Sequence, residues 1–230
     1  MDNRYYFTEL NNNVVTIVGG EAQHLSRVRR AKLGDEIVAF NGDGYDYNLK
    51  IVEITKDKVK AEILAKLPNK AMNDVNITVY LSMIKNDALT TAIDNLAELN
   101  VKHVKLFKSD YSVAVIDEKK LEKLNQIAIQ ASKQSERADV MNISIINKKD
   151  IENDANGLTT FFAYEDSNNN IEKFSGDFAV IIGPEGGFSK EENQLFSAWA
   201  NNISLSKTIL RAEVACVASV SMLKAVNGVS

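Results

Sequence analysis

A chain of 230 residues, 45% of them apolar and 25% charged, has the composition of an ordinary globular protein and the length for one large domain or two small ones. One cysteine (Cys216) excludes an internal disulfide, and with two histidines (His24, His103) it leaves too few soft ligands for a structural zinc site, so no metal is expected. The longest apolar runs, such as 178–182, fall far short of the roughly 20 residues that span a bilayer, and residues 1–6 lack an apolar signal core; a cytoplasmic protein with no membrane partner is expected.

The first 70 residues form the first expected domain. Strands are predicted at 14–18, 36–40, 45–54 and 58–64, separated by the turn Asn41-Gly42-Asp43-Gly44 and the polar turn at 55–57. Short strands joined by such turns suggest a small β-barrel or sandwich. Pro68 and the polar run 69–74 interrupt the pattern, and the second domain is expected over 74–230. There strands alternate with helices. A strand at 77–83 precedes an amphipathic helix with Leu89, Ile93, Leu96 and Ala97 on one face, and 104–107 is the next strand. A longer helix at about 117–134 carries Leu121, Leu124, Ile127, Ala128 and Ala131 on one face. Strands follow at 143–145, 158–164, 178–182 and 203–205, with helices at about 190–200 and 212–226. Such alternation predicts a mostly parallel α/β sheet covered on both faces. Asn168-Asn169-Asn170 reads as a solvated loop.

Net charge is −4, so a nucleic-acid partner would have to be held by local basic patches. Residues 1–72 carry 11 Lys and Arg against 10 Asp and Glu, whereas 73–230 carry 16 against 21. Only six basic residues are Arg: Arg4, Arg27, Arg29, Arg30, Arg137 and Arg211. Guanidinium offers a planar fork that fits phosphate or carboxylate bidentately, which ammonium cannot reproduce.

The most informative segment runs from Phe178 through Gly183-Pro184-Glu185-Gly186-Gly187 to Ser189 and Glu192. An apolar strand enters a glycine-rich turn and then a helix, whose start carries the Ser-x-x-Glu spacing of a capping box. Glycines there admit positive φ and let a ligand lie against bare backbone, at the strand ends where open α/β sheets bind ligands. The alternative is a tight connection with no ligand. A dinucleotide fingerprint needs a different glycine spacing, and the Gly-Lys-Ser/Thr ending of a P-loop is absent.

The segment 182–189, taken with Leu205 and Ile209-Leu210-Arg211-Ala212-Glu213, resembles the RsmE family of ribosomal RNA methyltransferases in the SPOUT superfamily. Matching segments also occur at 24–30 with Gly34-Asp35, at Ala97-Glu98-Leu99 with Val101, and at 131–137, so the resemblance covers nearly the whole chain. It implies an α/β protein with an N-terminal PUA-like β-barrel that helps hold RNA, and a C-terminal SPOUT-type α/β domain tied in a trefoil knot. It further implies S-adenosylmethionine as methyl donor, pairing of two subunits, and methylation of N3 of a uridine in the decoding region of small-subunit ribosomal RNA, within the assembled subunit. By that resemblance Ile182, Gly183, Pro184, Glu185, Gly186 and Gly187 approach the cofactor, Leu205, Ile209 and Leu210 wrap its adenine, and Leu81, Tyr164 and Glu165 line the same site.

N3 of uridine carries a proton and is paired in a duplex, so the base must be exposed, at a cost of a few kcal/mol, and the proton lost. Arg211 cannot be a base, because a guanidinium stays protonated. At about 4 Å and an effective dielectric near 20 it would stabilise a developing uridine anion by roughly 4 kcal/mol, about three pK units. Glu213 either orients Arg211 or accepts the N3 proton; the orienting role is preferred. An ordinary surface ion pair is the alternative for both. Arg27, Arg29 and Arg30, joined by Arg4, form a basic cluster suited to phosphate, and Lys85, Lys133 and Arg137 extend that track. His24, His103, Cys216 and Trp199 sit in contexts that suit packing, and no role is assigned to them.

The chain departs from the family pattern at Asn95 for Lys, Asn100 for Gly, Asp110-Tyr111 for Glu-Arg, Val140 for Pro and Val214 for Thr. These bear on the RNA side more than on the cofactor side. The competing readings are a SPOUT-type RNA-binding protein that has lost catalysis, and a small-molecule nucleotide-binding protein with no RNA partner.

Overall fold

The computed structural model describes residues 4–165, 167 and 171–229; Asn168-Asn169-Asn170, expected as a loop, lies outside the described residues. The chain divides into two compact units, one of residues 1–72 with 132–140, the other of 73–131 with 141–230.

The first unit holds strands β1 (Arg4–Tyr6), β2 (Glu9–Asn11), β3 (Val14–Val18), β4 (Glu36–Phe40), β5 (Tyr45–Ile54) and β6 (Lys58–Pro68), in the sheet order β1-β4-β5-β6-β3-β2. Every pairing is antiparallel except β1 with β4. The long β5–β6 hairpin is bulged at Asn48/Leu49 and Ile51/Glu53, and bulges bend and twist a strand, so the sheet curls. The pairing leaves β1 and β2 as edges, so the unit is a curled sheet where a barrel was expected. Alternating Tyr47, Leu49 and Ile51 point inward to meet Val15, Ile17, Val59 and Ala61. The turn at 41–44 is closed by Asn41 Oδ1 accepting from the Asp43 N–H at 3.2 Å and Asp43 Oδ1 accepting from the Tyr45 N–H at 3.1 Å. Between β3 and β4, α1 (Gly19–Gln23) runs on into a π-helical turn, His24–Val28.

The second unit is built on β7 (Ile77–Ser82), α2 (Asn86–Glu98), β8 (His103–Phe107), α3 (Glu118–Gln134), β9 (Asn142–Ile145), α4 (Ile151–Asp154), β10 (Thr159–Ala163), β11 (Phe178–Ile182), α5 (Lys190–Ser197), β12 (Asn201–Ile203) and α6 (Ala212–Asn227). The last three residues of α3 count with the first unit. All five strand pairings are parallel, in the order β12-β10-β11-β7-β8-β9. β7 and β11 are buried at every position, as strands covered on both faces must be. Tyr80, Ala179, Ile181 and Phe162 pack with Ile151, Ala155 and Phe196, which puts α4 and α5 on one face. Among the other helices, α2 packs on α6 and α6 on β11.

Local chemistry sets the helix ends. Asp117 Oδ1 accepts from the Lys120 N–H at 2.8 Å at the start of α3. Asn100, where the resemblance leads one to expect Gly, has φ 65°. The Asn100 N–H reaches the Ala97 carbonyl at 3.1 Å and the Val101 N–H reaches that of Leu96 at 3.0 Å, the pair of bonds that closes a helix through a left-handed residue. Asn is among the few side chains that tolerate that conformation, so the replacement preserves the geometry.

From β7 the chain lays β8 and β9 to one side, crosses to the far side for β10, and returns with β11 between β10 and β7. The carboxyl ends of β10, β11 and β12 therefore lie side by side, on the far side of β7 from β8 and β9. Open parallel sheets bind ligands where the strand order reverses. Among the described residues no helix is long and apolar enough to cross a membrane, and no group of three or more His, Cys, Asp or Glu could hold a metal ion.

Candidate active site

The glycine turn leaves β11 at Ile182 and closes when the Gly187 N–H donates to the Pro184 carbonyl at 3.0 Å. Two of its glycines are needed for different reasons. Gly187 has φ 73°, in the left-handed region. Gly183 has no such φ, but a Cβ there would stand 2.8 Å from Cε2 of Phe188, a ring packed against Phe162 at 5.2 Å and Phe196 at 5.3 Å. The capping box expected from sequence is present: Ser189 Oγ accepts from the Glu192 N–H at 3.2 Å, and Glu192 Oε2 accepts from the Ser189 N–H at 3.0 Å.

In front of the turn lies a cavity of about 370 Å³, within the range of small-molecule sites. Its walls are Ile182 to Gly187 from β11, Tyr164 and Glu165 from the end of β10, and Leu205, Ile209 and Leu210 from the segment between β12 and α6. Eleven of the twelve residues expected at the cofactor thus surround one space. Leu81 is the exception: it pairs with Ile182 in the sheet, is fully buried, and does not line the cavity. Sequence reasoning missed the polar lining residues Asn193, Ser206 and Thr208 and the apolar ones Ala163, Phe188, Ile203 and Ala215. Asn193 lies one helical turn past Ser189, a spacing that could have pointed to it. Ile209 is 87% exposed although it lines the cavity, so a ligand there would cover apolar surface now facing water.

Arg211 stands between lining residues Leu210 and Ala215, at the N-cap of α6, with an exposed side chain. Glu213 is in the first turn of that helix and half-buried. Among the described residues no ion pair joins the two. One turn further on, burial and then the charge of Glu213 push the Cys216 thiol up to about 12.

A charged network anchors the turn from behind. Ser189 Oγ donates to Asp110 Oδ2 at 2.6 Å, Lys148 Nζ donates to Asp110 Oδ1 at 2.6 Å and to Glu192 Oε1 at 2.7 Å, and the Asp110 N–H donates to Glu192 Oε1 at 2.9 Å. The bond from Lys148, then that from Ser189, holds the Asp110 carboxyl below its ordinary value. Burial works against the Lys148 charge, but Asp110 and Glu192 outweigh it and hold the ammonium above its ordinary value.

The basic residues separate into two groups. Arg27, Arg29 and Arg30 are exposed on and after the π-helical turn, and Lys85 is exposed just ahead of α2. Three more make ion pairs within the fold. Arg4 pairs with Asp46 and lies 4.8 Å from the Phe40 ring centroid, and Lys133 bonds both carboxylate oxygens of Glu21, at 2.7 and 2.9 Å. Arg137 is the correction. It is 1% exposed and its Nε donates to Asp139 Oδ1 at 2.7 Å. A guanidinium so enclosed is engaged with the fold and is not presented at the surface where the expected RNA contact would need it.

Residues 71–224 match the family described as RNA methyltransferase domain, and residues 19–64 the family described as RNA methyltransferase PUA domain. The chain is 29% identical over 228 residues to ribosomal RNA small subunit methyltransferase E of Aquifex aeolicus, covering 95% of this chain and 97% of that one. It is 25% identical over 242 residues to the protein of that name from Bacillus subtilis, covering 95% and 94%. A ribosomal RNA small subunit methyltransferase E from Neisseria gonorrhoeae, solved bound to S-adenosyl methionine, superposes with a TM-score of 0.87 at 25% identity over 97% of each chain. The chain belongs to the RsmE family of RNA methyltransferases, with a PUA domain followed by a SPOUT-type methyltransferase domain.

Proposed function

We propose that the protein transfers a methyl group from S-adenosylmethionine to N3 of a uridine in the decoding region of small-subunit ribosomal RNA. The observation that carries this reading is the single cavity enclosed by the glycine turn 183–187 and the stretch 205–210, in a chain that aligns end to end with methyltransferases of that substrate class.

The lining fits the cofactor. Ile182, Leu205, Ile209 and Leu210 offer apolar contact to an adenine ring, the backbone of Gly183 and Gly186 offers donors and acceptors with no side chain over it, and the carboxylates of Glu165 and Glu185 suit a cationic ligand. When bound, S-adenosylmethionine supplies an activated methyl on a positively charged sulfur. The chain's own work is then largely positioning, which is worth about 7 to 11 kcal/mol of barrier for well-aligned reactants.

Arg211 acts on the uracil. In bulk water a charge at 4 Å is worth about 1 kcal/mol, and at an effective dielectric near 20 about 4 kcal/mol. An exposed Arg211 therefore becomes effective only as the docked base excludes solvent: N3 gives its proton to departing water, and Arg211 stabilises the uracil anion that remains, which ties proton loss to correct docking. Glu213, at the positive end of α6, orients the guanidinium as the base arrives. Arg27, Arg29, Arg30 and Lys85 hold phosphate, contacts that position without reading sequence. The protein works in the cytoplasm, on the assembled small subunit. Two copies pair, with exposed Val113 and Val115 as apolar surface for that contact, and the chain from β10 to α6 is tied in a trefoil knot that shapes the cavity.

The test is transfer of labelled methyl to undermethylated small ribosomal subunits, with the product nucleoside identified. Incorporation at N3 of one uridine supports the reading. Cofactor binding without incorporation would make the protein an RNA-binding relative that has lost catalysis.

A further inference from the structure

Beside the glycine turn stands an aromatic ring that the fold does not use. Tyr111 is 53% exposed, and among the described residues its ring has no aromatic, cationic or hydrogen-bonding partner. Its backbone is tightly held. The Ser112 N–H donates to the Ser109 carbonyl at 3.1 Å, closing a turn with Asp110 and Tyr111 at its tip. The hydroxyls of Ser82, Ser109 and Ser112 lie 2.6 to 2.9 Å apart, and Asp110 is fastened by Lys148, Ser189 and Glu192.

The side chain rises from this turn against bare backbone: Tyr111 Cβ lies 3.4 Å from where a Cβ on Gly186 would stand. The preceding turn residue, Glu185, accepts from the Lys85 N–H at 3.0 Å, and the Lys85 side chain is exposed. The turn that walls the cavity is thus flanked by an exposed flat ring on a rigid mount and by an exposed cation. Single-stranded nucleic acid is bound by this combination, with base faces on aromatic rings and phosphates on cations.

We propose that Tyr111 is a stacking platform for an unpaired base of the RNA, holding the strand at the mouth of the cavity with Lys85 on a neighbouring phosphate. This rests on the reading of the substrate as RNA. With its backbone fixed by Asp110 and Ser112, Tyr111 has only its two side-chain torsions to lose on stacking.

The experiment compares wild type, Tyr111→Phe and Tyr111→Ala in three measurements: cosedimentation with undermethylated small subunits, steady-state methyl transfer, and calorimetric binding of S-adenosylhomocysteine. Tyr111→Ala is expected to weaken subunit binding and raise KM about 5- to 150-fold, the factor that loss of one stacked base produces. Tyr111→Phe keeps the π-face and is expected to match wild type, and S-adenosylhomocysteine affinity is expected to be equal in all three proteins. Unchanged subunit binding in Tyr111→Ala, or a Phe variant as weak as Ala, would overturn the proposal. So would a changed oligomeric state in Tyr111→Ala, which would place the ring in a subunit contact. Wild type that binds subunits but transfers no methyl would defeat the proposed function alone, and cosedimentation would still decide on stacking.

Discussion

Ser189 Oγ donates to Asp110 Oδ2 across 2.6 Å, tying the first turn of α5 to the loop after β8. With Lys148 bridging Asp110 and Glu192, the bond fixes where the glycine turn ends and the helix begins. The Asp110 carboxyl is held below its ordinary value, first by Lys148 and then by Ser189.

The sign of the resulting pH dependence follows from that direction. A depressed carboxylate stabilises the fold fully above its unfolded value of about 3.9 and ceases to do so as pH falls through the folded value. Asp110→Asn is therefore expected to unfold at lower urea than wild type near neutral pH, with the gap closing below about pH 4. Urea midpoints across an acid series check this; a gap that persists or widens in acid would contradict it.

Alanine at the three turn glycines should rank by mechanism. Gly183→Ala forces the packed Phe188 ring to move, an overpacking change that costs about 1 to 3 kcal/mol. Gly187→Ala retains φ 73° with a side chain, which costs about 1 to 2 kcal/mol. Gly186→Ala meets only Tyr111, its Cβ at 3.4 Å and its Cγ at 4.0 Å, and should be mildest. Melting temperatures give the order, and titration with S-adenosylhomocysteine shows Gly183→Ala weakest in binding.

Arg137 and Asp139 are a buried pair in the first unit, 1% and 3% exposed at their side chains. Removing one partner of a buried ion pair costs about 3 to 5 kcal/mol. Arg137→Ala is expected to lower the denaturation midpoint strongly, and Arg27→Ala to leave it within about 0.5 kcal/mol while weakening subunit binding. Chemical denaturation and cosedimentation separate the two effects.

Most of the α/β unit was legible because its strands are buried runs and its helices amphipathic. β11 reads as an uninterrupted apolar segment and β7 as a nearly apolar one broken only by Thr78 and Ser82, since both faces are covered, and the capping box from Ser189 to Glu192 marks the start of α5 in four residues. The three-residue strands β1 and β2 were not legible: Arg4–Tyr6 has no alternation to display, and its register is set by β4, more than 30 residues away. Nor was the helical and π-helical passage 19–28, which begins with two glycines. At the site, backbone and apolar lining came from local motif, whereas the partners of Asp110 lie 38 to 82 residues off and only the tertiary fold reveals them. Arg137 shows the converse. Its partner Asp139 lies only two residues on, but nothing in that spacing marks the pair as buried.

Cys216 is fully buried in α6, with its thiol pushed up to about 12 by burial and by Glu213. A thiol reagent at about pH 8, near the ordinary thiol range, is expected to leave the native protein unmodified and to label one thiol per chain after unfolding in denaturant. Fast labelling of native protein, followed by mass spectrometry, would contradict that burial.

Arg211→Ala is expected to lower the methyl-transfer rate about tenfold or more, since a cation near the developing anion is worth one to three pK units. S-adenosylhomocysteine affinity should change little, because the side chain is exposed and outside the cavity lining. Arg211→Lys keeps the charge without the planar fork and should fall between. Single-turnover rates with calorimetric affinities check both halves.

Two separate stretches of chain, 182–187 and 205–210, line one cavity, and a bound cofactor should touch both. Hydrogen exchange with and without S-adenosylmethionine tests this directly. Slowed exchange at residues 182–187 and at 205–211 together, with a common dependence on cofactor concentration, is the predicted result. Protection confined to one stretch, or to neither while the cofactor is bound, would contradict it.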